Sequence, residues 1–172
     1  DCVGFTMFNL AQSNPRAKAA FRKQARIAPG RVGKPNQWYG FFTGQNGPLP
    51  STWARITKVT SVRPGDYLAF TKGANRFVGH AAVVASAPKR LADGSYSVDI
   101  FDSTGHPHGP NDTRWTDPRN FRPVGKANGT GLGKGTMRLL VNPSGQITGA
   151  TWSVNAGGPN MAGVKVAVGR AR

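Results

Sequence analysis

A chain of 172 residues, 38% of them hydrophobic, can bury one packed core and predicts a single domain over 1–172. Twenty-three lysines and arginines against seven acidic residues give a formal net charge of +16. That imbalance predicts attraction to polyanions: nucleic acid, anionic lipid or cell-wall polymers. No apolar run approaches the roughly 20 residues that span a bilayer, HAAVVASA being far too short, so no transmembrane segment is expected.

From the first residue, Asp1 is placed to cap a helix running through Phe5, Phe8 and Leu10 until Asn14-Pro15 interrupts it. The same Asn-Pro pair opens a second helix, PRAKAAFRKQARIA. There Ala17, Ala20, Phe21, Gln24 and Ala28 share one face, and the cations occupy the others. Such a charge run reads first as a solvated face and second as a polyanion-binding one. Residues 28–50, rich in Gly, Pro and Asn, read as a long ordered loop. Its aromatics Trp38, Tyr39, Phe41 and Phe42 either line a substrate groove or form a lid over the core.

A short helical stretch around Trp53–Val59 precedes a change of pattern. VRPGDYLAF, FVGHAAVVASA and SYSVDIFDS read as three strands, the last two joined by an Ala-Asp-Gly-Ser turn. GKANGTGLGKGT resembles a phosphate loop but fails its pattern. Asn128 stands where the first glycine belongs, and Gly135 where Ser or Thr is required, so a flexible loop is expected instead. TMRLLVNPSGQITGATWSV then reads as a hairpin and VKVAVGR as a last strand. Helices followed by a strand meander imply an α+β fold, with 103–172 extending the sheet.

The chemistry rests on few residues. Cys2 is the single cysteine, so it packs, ligates, bonds another chain or acts as a nucleophile. At a helix N-terminus near an imidazole its thiol pKa falls from about 8.5, which makes a thiolate. Of the three histidines, His80 starts a strand from which its ring can project toward Cys2. Asp102, ending the next strand, is placed to orient that imidazole through its other nitrogen. One residue of register decides between Asp102 and Ser103. His106 and His108, with Asp102, also suggest a metal set, but the Gly-Pro surroundings supply no second shell, and no metal or other cofactor is assigned.

DCVGF at a helix start, RPGDYLAF some sixty residues on, and then GHAAVVAS resemble the NlpC-type cell-wall peptidases of the papain-like superfamily. The resemblance covers residues 1–102 in three pieces. It implies a papain-like fold with N-terminal helices packed on a mostly antiparallel sheet of about five to six strands. It also implies Cys2 as nucleophile, His80 as base and an amide bond of peptidoglycan as substrate. Asp1, Trp38, Tyr39, Ser103 and His106 are the candidate substrate contacts. Val3 replaces the family's serine, which departs from its stem-peptide specificity. The expected setting is secreted, periplasmic or wall-associated, as a monomer on peptidoglycan or another anionic wall polymer. Lacking an initiator methionine, the chain reads as a trimmed or mature product.

Two rival readings stand beside this one. The first is thiol hydrolysis or acyl transfer on a non-peptidoglycan substrate. The second is a non-catalytic basic module for polyanions, with nucleic acid disfavoured because no recognised motif is present.

Overall fold

The computed structural model describes residues 1–72, 78–117, 130–155 and 158–172. Helix α1 (Cys2–Ser13) starts where Asp1 accepts the Gly4 amide at 2.6 Å. Helix α2 (Pro15–Gln24) starts where Asn14 accepts the Ala17 amide at 2.9 Å, with proline at its first position. A third helix, α3 (Pro35–Thr43), lies inside the segment expected to be a loop. The Pro and Gly that suggested a loop are its boundaries: Pro35 opens it, and Gly44 closes it in a left-handed conformation at φ 77°. Between them Trp38, Phe41 and Phe42 follow helical spacing and are fully buried.

The strands are β1 (Trp53–Ile56), β2 (Tyr67–Phe70), β3 (His80–Val84), β4 (Lys89–Arg90), β5 (Tyr96–Thr104), β6 (Gly131–Val141), β7 (Ile147–Thr151) and β8 (Val166–Ala171). They form one antiparallel sheet in the order β1-β8-β2-β3-β5-β6-β7, with β4 beside β5. The sheet has eight strands where five to six were expected. The two additions are the short β4 and β1, whose residues were expected to be helical. Trp53–Ile56 takes strand form because β8, more than a hundred residues away in sequence, pairs with it residue for residue, a partner no local pattern reveals. The strands β6 and β7 continue the sheet beyond β5, and β8 lies between β1 and β2.

The sheet curls into a half-barrel whose edges meet at one end. There Val59 donates to Gly145 O at 3.0 Å, and Ile147 donates to Thr57 O at 2.9 Å. The two-residue period of the strands sorts the core into two layers. Tyr67, Ala69, Ala81 and Val83 face the helices. Leu68, Phe70, Ala82, Val84, Val98 and Ile100 fill the inside of the curl with Met137 and Leu139. The helical layer centres on Trp38, whose ring lies 4.0 Å from Phe21 and stacks on Tyr67 at 5.8 Å.

Candidate active site

His80 opens β3 in phase with Ala82 and Val84, so its ring points into the curl. The residue before it must be glycine. Gly79 has φ 93°, and a Cβ there would lie 2.9 Å from Phe70 O and from Pro35 Cβ. Asp102 follows Val98 and Ile100 on the same inward face of β5 and is fully buried. The register therefore turns Asp102 toward His80, with its Oδ2 2.5 Å from His80 Nε2. Ser103 projects from the opposite face of β5 and lines the cleft described below.

Cys2 begins α1, and β3 pairs with β5 only at Val83 and Val84, leaving the start of β3 open toward the helix. Burial pushes the thiol pKa up, but a hydrogen bond and the charge of His80, with the amides of Ala81 and Val3, pull it below its ordinary value. Burial likewise works against a charged His80. The hydrogen bonds and charges of Asp102 and Cys2 outweigh it and raise the imidazole to about 9. Asp102, also opposed by burial, is held well below the usual carboxylate range by His108 and His80. With Nε2 on Asp102, Nδ1 is the ring nitrogen left for Cys2.

Of the groups behind Asp102 the sequence singled out only His108, and as a metal ligand; Arg114, Asp112 and Trp152 carried no signal. His108 Nε2 lies 2.9 Å from the same Oδ2, and its Nδ1 lies 2.6 Å from Trp152 O. Trp152 stacks on His108 at 4.1 Å and meets His80 edge-on at 5.0 Å. The Arg114 guanidinium is fully buried, paired with Asp102 Oδ1, and 2.6 Å from Asp112 Oδ2. It also donates to the carbonyls of Gly131 at 2.8 Å and Asp102 at 2.7 Å. The acidic oxygens and backbone carbonyls thus surround a cation that burial alone would expel.

This cluster fits against the sheet because β6 carries glycines on its inward face. A Cβ at Gly133 would stand 2.6 Å from Arg114 Cγ, and one at Gly135 would stand 2.4 Å from Asp112 Oδ2 and 2.6 Å from His108 Cβ. The run expected to be a flexible loop is thus a strand from Gly131 onward, its alternating glycines making room for the segment that carries His108 and Arg114. Residues 125–129 of that run lie outside the described residues.

A cleft of about 780 Å³ opens on Cys2 and His80 and is walled by Ser103, Thr104, His106 and Trp152. Asp1 also lines it, while its carboxylate caps α1. His106 is exposed there. Two expected substrate contacts are elsewhere. Trp38 is fully buried at the centre of the helical layer, and Tyr39 packs against that same core. Their helix turns its aromatic face onto the sheet, which is the lid-over-core alternative and not the groove.

The metal set suggested by sequence, Asp102 with His106 and His108, does not assemble, since His106 lies on the cleft wall. Instead His80, Asp102 and His108 bring three ligand atoms within 4.8 Å of one another. Their oxygens are engaged: Oδ2 faces both imidazoles, and Oδ1 is paired with Arg114. A cation there would displace both imidazole contacts beside a buried guanidinium, so the donor set fits a hydrogen-bonded relay better than ligation.

No family model matches the chain, and no solved structure matches it. An uncharacterized protein of Acanthamoeba polyphaga mimivirus is 28% identical over 136 residues, covering 69% of this chain and 54% of that protein. The chain thus spans about half the length of the relative it matches.

Proposed function

We propose that the chain is a cysteine hydrolase with a papain-like, NlpC-type catalytic arrangement, cleaving an amide bond in the peptide stem or cross-link of bacterial peptidoglycan. The observation that carries this reading is the sequence of contacts from Cys2 to His80 to Asp102 at the wall of an open cleft. A lowered thiol beside a raised imidazole favours the thiolate–imidazolium pair, the reactive form of such a nucleophile.

The thiolate attacks the amide carbonyl carbon, and the Cys2 backbone N–H at the start of α1 is placed to donate to the oxyanion. The C–N bond then breaks as the imidazolium of His80 gives its proton to the leaving amine. A water attacks the thioester with His80 taking its proton, releasing the carboxylic acid and restoring the thiolate–imidazolium pair. Asp102 holds the ring and stabilises its charge throughout. Peptidoglycan as substrate, and a secreted, periplasmic or wall-associated setting, rest on the sequence resemblance and the net charge.

A second reading, the same acyl chemistry on a non-peptidoglycan substrate, draws on Val3. That side chain is 7% exposed and packs in the core, so it contributes no polar contact to a peptide amine in the cleft.

Digestion of purified peptidoglycan by the wild type and by Cys2→Ala tests the proposal. Fragments released by the wild type alone, identified by mass spectrometry, support it and name the bond. Silence from both, with Cys2 alkylated rapidly below pH 8, shifts the reading to the second substrate class. A thiol with an ordinary pKa sinks both.

A further inference from the structure

The charge of this chain is unevenly placed. Residues 1–65 carry ten lysines and arginines and one acidic residue, Asp1, which is committed to capping α1. Five of the other six aspartates form ion pairs with cations from the sheet half: Asp66 with Arg170, Asp93 with Arg138, Asp99 with Lys134, and Asp102 and Asp112 with Arg114. Among the described residues, none of the ten cations of the helical half is in an ion pair. The excess positive charge is therefore denser in this half, +9 over 65 residues against +7 over the remaining 107.

Within that half, three cations line one hollow. The loop between α2 and α3 encloses about 380 Å³ walled by Arg26, Arg31 and Lys34, with Ile27, Val32 and Gln37. The loop is a built structure. Arg22 braces it from α2, donating to Arg31 O at 2.5 Å and Ala28 O at 2.7 Å. From the other side Gln37 donates to Ala25 O at 3.0 Å and accepts the Lys34 amide at 2.9 Å. Ile27 anchors it in the core. Arg26 sits at φ 52°, the left-handed region that L residues rarely adopt, so the fold holds this arginine in a strained backbone conformation. The hollow also opens at the N-terminal end of α3, where the helix dipole favours negative charge.

We propose that this hollow is an anion-binding site, and that with the cations of α2 it docks a phosphate-bearing polymer that lacks bases. Three like charges on one braced loop repel one another, and an anion among them removes that cost while accepting charge-assisted hydrogen bonds from two guanidinium groups. Recognition of single-stranded nucleic acid needs aromatic faces on which bases stack. The rings beneath this loop, Phe21, Trp38, Phe41 and Phe42, are fully buried and offer none. The site shares no lining residue with the Cys2 cleft: failure of peptidoglycan digestion leaves it standing, and its own failure leaves the Cys2 chemistry untouched.

The test is fluorescence anisotropy with labelled linear polyphosphate across a salt series, with single-stranded DNA as a parallel probe. The triple variant Arg26→Gln, Arg31→Gln, Lys34→Gln is compared with a control, Lys89→Gln, Arg90→Gln, in the exposed strand β4. We expect polyphosphate binding by the wild type, at least a tenfold loss in the triple variant, and little change in the control. The slope of log affinity against log salt should fall by roughly 2 to 3, since each phosphate contact contributes about 0.7–0.9. Thermal melting confirms that the variants fold. Equal losses in both variants would mean diffuse attraction and overturn the site, as would unchanged binding by the triple variant. Tighter binding of single-stranded DNA than of polyphosphate overturns the base-free partner.

Discussion

Replacing Asp102 by Asn removes one negative charge and turns one oxygen into a donor. The carboxylate has two oxygens and three side chains to satisfy: His80 and His108 on Oδ2, Arg114 on Oδ1. If the amide oxygen stays on Arg114, the NH₂ group faces both imidazoles. His80 Nε2 must then accept, its proton moves to Nδ1, and the ring can no longer take the proton of Cys2. If the amide flips, its NH₂ group meets a buried guanidinium instead. Both arrangements leave a buried charge or donor uncompensated, at a cost of about 3–5 kcal/mol by analogy with other broken buried pairs. The thiol loses the imidazolium that lowers it, and its alkylation rate at pH 7 should drop tenfold for roughly each pKa unit regained. The assay is iodoacetamide alkylation of Cys2 from pH 5 to 10, with urea unfolding of the same protein. The exposed Asp93→Asn variant serves as control. An Asp102→Asn protein that keeps both the wild-type alkylation profile and the wild-type unfolding midpoint would refute the relay.

Two further outcomes are expected. His80 is raised from about 6.5 to about 9, so its contribution to stability is complete below pH 6.5 and is lost as the pH rises toward 9, amounting to about 3 kcal/mol at most. The melting temperature of the wild type should therefore fall between pH 6.5 and 9, and that fall should be absent in His80→Gln; a parallel fall in both proteins would contradict it. Gly135→Ala places a methyl group against Asp112 and His108 and should cost about 1–3 kcal/mol in urea unfolding. It should also raise the alkylation pKa of Cys2, and a stable variant with unaltered thiol reactivity would show that the cluster does not support the site.

What the sequence made legible was local. The Asp1 cap, the Asn14-Pro15 junction and the two-residue alternation of YLAF and HAAVV each carry their signal within a few residues. The segments from which Cys2, His80 and Asp102 were proposed as neighbours, DCVGF, GHAAVVAS and SYSVDIFDS, are of this kind, because a helix start and two strands fix where their side chains point. Trp38 misled because aromatics near Gly and Pro look alike in a groove and in a short helix. Only the spacing of Trp38, Phe41 and Phe42 tells them apart. Trp53–Ile56 could not be read locally at all, since β8 supplies its partner.

Arg114, and the hydrogen-bonding role of His108, belong to that second class, and their placement explains how a half-barrel this basic tolerates charge inside. Interiors reject isolated ions, so Asp102 can be ionised beneath His80 only if its remaining oxygen is also satisfied. Arg114 satisfies it, but the guanidinium then needs partners of its own, and Asp112 and the carbonyls of Gly131 and Asp102 supply them. None of this fits unless the sheet beneath is bare. Gly133 and Gly135 leave it bare on the inward face, while Lys134 on the outward face pairs with Asp99. The glycine run that imitates a phosphate loop thus serves the site from below: it sets how closely a buried ion network approaches β5, and through Asp102 how firmly the imidazole is held against the thiol.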